Sequence, residues 1–176
     1  MQSYERVYVL ELEHRKFYVG TTLREMHVRY QEHADRYGSR WTSRHQVRRC
    51  ICWMRVPVGT SRTIENEITR YLMWTRGWTN TRGGDWVFVR CRSRNWLPLE
   101  MRLLRATDVL PLHLRPMRHL RPETRRLIEA LEMSCRLENA DQLDADPFPE
   151  VTFSRLPDHF HHVDPAHPLA VPLRAQ

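Results

Sequence analysis

Lysine is almost missing from this chain: of its 28 lysines and arginines, Lys16 alone is lysine. Guanidinium groups grip phosphate oxygens in a two-pronged fork. The same bias runs through the acidic C-terminal part, however, so codon usage is the simplest source of the ratio. Long apolar runs are missing too. Nothing approaches the roughly 20 apolar residues that a membrane-crossing helix needs, and MQSYERVYVL is too charged for a secretory leader. The expectation is a soluble intracellular protein, cytoplasmic or nuclear, cellular or viral, with no membrane partner. Cysteine is scarce and poorly spaced for metal: Cys50, Cys52, Cys91 and Cys135 match neither a zinc finger nor a zinc ribbon. Reduced, buried thiols are expected instead, and on a regular strand Cys50 and Cys52 would share a face. No internal repeat is present.

What is present is positive charge, unevenly placed. The net charge is +7 over 176 residues. Residues 1–99 hold 18 Arg and Lys against 9 Asp and Glu, whereas residues 100–176 hold 10 against 12. The basic part suits a polyanionic partner.

Two β-rich runs open the chain, Val7-Tyr8-Val9-Leu10 and Phe17-Tyr18-Val19, joined by Glu13-His14-Arg15-Lys16. They read as a hairpin that brings Tyr8 and Tyr18 onto neighbouring strands, with Gly20 allowing close approach of backbone or phosphate. Thr21-Thr22 would cap a helix from about 23 to 37, on which Arg29 and His33 share a face. Gly38 stops it, and Trp41 serves best as a packing anchor. Residues 47–56 form a central strand, apolar on both faces. A helix over 62–76 buries Ile64, Ile68, Tyr71 and Leu72. Glu65 and Glu67 are about 200° apart around it, so spacing alone does not choose between them. Asn80-Thr81-Arg82-Gly83-Gly84 reads as a tight flexible loop, with Trp86–Val89 as a short strand. Prolines interrupt 97–117, a good amphipathic helix spans 122–139, and 140–176 reads as an acidic, then Pro- and His-rich tail.

Taken in order, Val7-Tyr8-Val9, Tyr18-Val19-Gly20, Arg29 and Glu65, with Gly38-Ser39-x-Trp41-Thr42 and Asn80-x-Arg82-Gly83-Gly84, make a series that resembles the GIY-YIG nuclease family over residues 4–90. It looks like the small single-domain members of the family found in large DNA viruses and some microbes. The resemblance implies an α+β fold with a small three-stranded antiparallel sheet flanked by helices. The nuclease-like domain would cover 1–92, an extension with one helix 93–139, and a flexible tail 140–176. It implies a DNA endonuclease using Mg²⁺ or Mn²⁺, with Tyr8, Tyr18, Arg29 and Glu65 catalytic and Glu65 the metal ligand. Gly20, His33, Thr42, Asn80 and Arg82 would contact nucleic acid. Thr21 stands where relatives often carry Lys, so that role would be dropped or pass to Lys16 or a nearby Arg. The rival expectations are a nucleic-acid-binding module that has lost catalysis, and a viral structural or interaction protein.

Overall fold

Alternation of apolar side chains along β1 (Tyr4–Leu12) sorts the whole molecule into two layers. Val7 and Val9 point to one face of the sheet, and Tyr8, Leu10 and Leu12 to the other. The computed structural model describes residues 4–90, 95, 97, 98, 102, 120–136 and 148–151. After β1 a single 3₁₀ turn at Glu13–Arg15 reverses the chain, with His14 and Arg15 in left-handed backbone. Next come β2 (Lys16–Thr22), α1 (Met26–Ala34), α2 (Arg40–Arg44), β3 (Val47–Pro57), α3 (Ser61–Arg76), β4 (Thr81–Arg82) and α4 (Pro122–Arg136).

The expected α+β class holds, but the expected three-stranded antiparallel sheet does not. The sheet has four strands in the order β3-β1-β2-β4, and β4 runs parallel to β2. The extra strand comes from Thr81-Arg82, expected as loop: Phe17 and Tyr18 present a free edge, and Phe17 N–H donates to Asn80 O at 2.7 Å. The strand expected over 86–89 is instead a single bridge between Trp86 and Gly83. The helix expected from residue 23 begins at Met26, because Thr21 and Thr22 stay paired with Val7 and Arg6. Arg6 then braces the connection by donating to the carbonyls of Leu23 and Arg24, both at 3.1 Å.

A bulge in β3 overturns the one-face expectation for the two cysteines. Val9 pairs with Cys52 but Leu10 with Cys50, leaving Ile51 as the extra residue. Cys52 therefore joins the layer under α3 and α4, while Cys50 joins the layer under α1 and α2.

The amphipathic stripe of α4 docks on the sheet. Leu127, Ile128 and Leu131 are fully buried with Val7, Val9, Ile64 and Leu72. Glu67, on the far side of α3 from the candidate site, accepts from the Thr124 hydroxyl of α4. Residues 148–151, expected in a flexible tail, lie along the outer edge of β3. Trp53 N–H donates to Pro149 O at 3.1 Å and Val151 N–H to Trp53 O at 2.7 Å. An edge strand leaves such groups without partners, and this segment supplies them. The Pro-interrupted stretch (apart from residues 97, 98 and 102), residues 137–147 and the histidines beyond 151 lie outside the described residues. No described helix is long and apolar enough to cross a membrane.

Truncating Leu131 tests whether α4 belongs to the core. Leu131→Ala is expected to cost about 2–5 kcal/mol of stability in denaturant unfolding; a change within about 0.5 kcal/mol would make α4 a peripheral helix.

Candidate active site

Gly20 is glycine because an aromatic ring occupies the space of its side chain. It pairs directly with Tyr8 across the hairpin, and an added Cβ would collide with the Tyr8 hydroxyl and come within 2.9 Å of the Tyr18 ring. The two phenols thus lie side by side on the α1/α2 face, ring centres 6.3 Å apart.

Tyr8 is wholly buried, so its hydroxyl needs protein partners. It finds two, from residues one helical turn apart. Arg29 Nε–H donates to the Tyr8 oxygen at 3.0 Å, and His33 Nε2 lies 2.8 Å from it. His33 Nδ1 is 2.7 Å from Thr42 Oγ1, and that hydroxyl also lies 3.1 Å from Ser39 O. One proton assignment satisfies every group: Thr42 donates to Ser39 O, His33 Nδ1–H donates to Thr42, and Tyr8 donates to the bare Nε2. Burial, reinforced by the Arg29 charge, pulls the His33 pKa down to about 3, so the ring is neutral at ordinary pH. Burial, then the neighbouring Tyr18, pushes the Tyr8 phenol well above its usual value, against the opposing pull of Arg29. Tyr18 is raised as well, first by burial and then by the Glu65 charge. At Tyr8 burial thus outweighs Arg29.

The Gly38-Ser39-x-Trp41-Thr42 segment is the clamp for this arrangement. Gly38 packs where a side chain would strike the His33 ring. Ser39 and Thr42 form a capping box at the start of α2, which fixes the hydroxyl that holds His33. Trp41 Nε1–H ties the segment to Phe17 O at 3.1 Å.

Asn80 to Gly84 does the same for Glu65. Gly84 N–H donates to Glu65 Oε1 at 2.9 Å, and Arg62 Nη1 lies 3.2 Å from Oε2. Burial raises the Glu65 pKa, opposed by the Gly84 N–H and by Arg62. Gly83 fits against Val19 O and the Thr69 hydroxyl with no room for a Cβ, so the loop rests on β2 one residue from Gly20. The Glu65 charge is felt by both phenols. Arg29 thus reaches Tyr8 from α1, and Gly83 and Gly84 tie the Glu65 carboxylate to β2 beside Tyr18 and Gly20. Arg29 rather than Arg24 reaches the phenols; Arg24 is exposed and pairs with Glu32.

Four residues expected to touch nucleic acid have other work. His33 and Thr42 are buried behind Tyr8. Asn80 Nδ2 caps the end of α3 by donating to Arg76 O at 2.8 Å. The Arg82 guanidinium, expected to grip phosphate, is buried and donates to the carbonyls of Trp78, Thr81 and Phe88 at 2.6–2.8 Å. A buried charge needs such partners, and nothing in a tight-turn pattern announces them. Lys16 does not replace the Lys absent at Thr21: it sits at the opposite end of β2, over the Trp41 ring. Sequence reasoning missed Glu32, which pairs with Arg29 at 2.6 Å, and Arg62, which links Glu65 to Asp85. Their i, i+3 spacing from Arg29 and Glu65 was the available signal.

Among the described residues no group of three or more His, Cys, Asp or Glu is placed to hold a metal. Glu65 offers one carboxylate here, with Asp85 across Arg62, and Mg²⁺ keeps most of its waters and takes one or two carboxylates. No family model matches the chain, and comparison with curated proteins and with solved structures gives no match either.

Two measurements check this account. Gly20→Ala must displace the Tyr8 ring and is expected to cost about 1–3 kcal/mol; an unchanged unfolding midpoint would contradict the packing. His33 takes up a proton more readily when unfolded, so stability is full above pH 6.5 and falls as pH drops from 6.5 toward about 3. Between pH 7 and pH 5 the loss from this residue is about 2 kcal/mol, and His33→Gln should show a correspondingly flatter pH dependence.

Proposed function

We propose that this chain is a divalent-metal-dependent endonuclease of the GIY-YIG type, hydrolysing DNA phosphodiester bonds. The observation that carries the reading is that Arg29 meets Tyr8, whose ring adjoins Tyr18, while Gly84 holds Glu65 on a loop that rests on β2 beside Tyr18. Bound at Glu65, Mg²⁺ or Mn²⁺ would supply charge neutralisation on the scissile phosphate. The residues divide the remaining work. The Tyr8 hydroxyl donates a hydrogen bond to His33 while its oxygen accepts from Arg29 and aims the guanidinium. Arg29, partly exposed, pairs with the phosphate and steadies the charge that grows during attack. Tyr18 also borders an open cavity, which makes it the phenol that meets and orients the attacking water. Tyr8 is then a positioning residue.

One observation favours the rival reading of a binding module without cleavage. Both Glu65 oxygens already have partners, Gly84 N–H and Arg62, so metal loading requires Arg62 to swing aside toward Asp85, with which it also pairs at 2.6 Å.

Purified protein with Mg²⁺ or Mn²⁺ is expected to cut DNA, and chelator to stop it. Glu65→Gln should abolish cutting while retaining DNA binding, and Tyr18→Phe should slow it by about 10²–10⁴-fold. Metal-independent binding with no cutting of plasmid, branched or single-stranded DNA would decide for the rival.

A further inference from the structure

Beside the phenols lies a cavity of about 1090 Å³, and of its lining the steps above use Tyr18 alone. Its floor includes Tyr18 and Trp41, and Val87 and Phe88 form an apolar wall. These last two are 51% and 61% exposed, high values for side chains that water solvates poorly. Around the mouth stand Arg40, Arg44 and Arg90, all exposed. None of the three side chains makes a hydrogen bond or ion pair with another described residue, and among the described residues no Asp or Glu lines the cavity.

An apolar hollow ringed by unmatched guanidinium groups has two complementary demands: anions at the rim and flat apolar groups within. A DNA duplex meets only the first, because its bases are stacked inside. An unpaired strand meets both, with phosphates for the arginines and base faces for an aromatic ring. We propose that this cavity takes an unpaired DNA strand, with a base against Phe88 and its flanking phosphates on Arg40, Arg44 and Arg90. The proposal rests on the nuclease reading, and it makes the substrate DNA with a single-stranded branch or flap. Tyr18 belongs to both cavity and site, so a strand seated here runs directly to the phenol.

Binding without metal separates this proposal from the chemistry. The full chain in chelator is titrated into a fluorescein-labelled single-stranded oligonucleotide and into a blunt duplex of the same sequence, with anisotropy as the readout. Single strand should bind at least about tenfold more tightly. Phe88→Ala should lower that ratio about fivefold or more. The triple variant Arg40→Ala, Arg44→Ala, Arg90→Ala should flatten the salt slope for single strand by roughly two. The double variant Arg125→Ala, Arg136→Ala on α4, across the sheet, removes charge without touching the ratio. Equal affinity for duplex and single strand, or a ratio indifferent to Phe88→Ala, overturns the proposal. Cleavage with Mn²⁺ is followed in parallel. Efficient cutting of blunt duplex with no strand preference overturns the proposal and leaves the nuclease reading standing. Single-strand preference with no cutting supports the cavity assignment and removes the nuclease.

Discussion

The hydrogen bond between the Tyr8 hydroxyl and His33 governs the geometry of the α1/α2 face. A phenol buried in the sheet without a partner would cost on the order of 1–3 kcal/mol, and satisfying it fixes much else. It requires a neutral imidazole, hence a partner for Nδ1, hence the Thr42 hydroxyl and the helix cap that aims it. It also leaves the phenol oxygen open to Arg29, which lies one turn from His33 on α1. Each group has one role that uses up its donors and acceptors, and such chains resist partial disruption.

The two glycine-containing segments then look alike in purpose although unlike in sequence. Gly38 to Thr42 steadies the histidine behind the phenols, and Asn80 to Gly84 steadies the carboxylate beside them. Both use glycine where a side chain would hit the group being held, His33 in one case and Asn66, the neighbour of Glu65, in the other. Both are tied to the start of β2 through Phe17: Trp41 donates to its carbonyl, and its own N–H donates to Asn80. The first strand pair thus sets the distance between the halves of the candidate site.

Much of this was legible from residue pattern. Strand alternation located the hairpin, helical spacing placed Arg29 with His33, and the apolar stripe of α3 fell where expected. The rest depended on long-range partners. Thr81-Arg82 has no strand pattern of its own and becomes a strand because Phe17 and Tyr18 offer an edge. The Cys50/Cys52 split follows from one extra residue in β3, which shifts register without altering composition. Arg82 looked like a phosphate ligand because a buried guanidinium and an exposed one are the same letter. Residue spacing did not separate Glu65 from Glu67, and the bond from Thr124 of α4 to Glu67 is one that no local pattern announces.

The contact between Trp53 and residues 148–151 carries a cost during synthesis. Its two halves are almost a hundred residues apart, and the Trp53 indole N–H also waits for Phe148 O. Until residue 151 leaves the ribosome, β3 presents an open, apolar border able to pair with the same strand of another nascent chain. Such distant closure is slow, which makes this late-arriving strip a natural point for a chaperone to act.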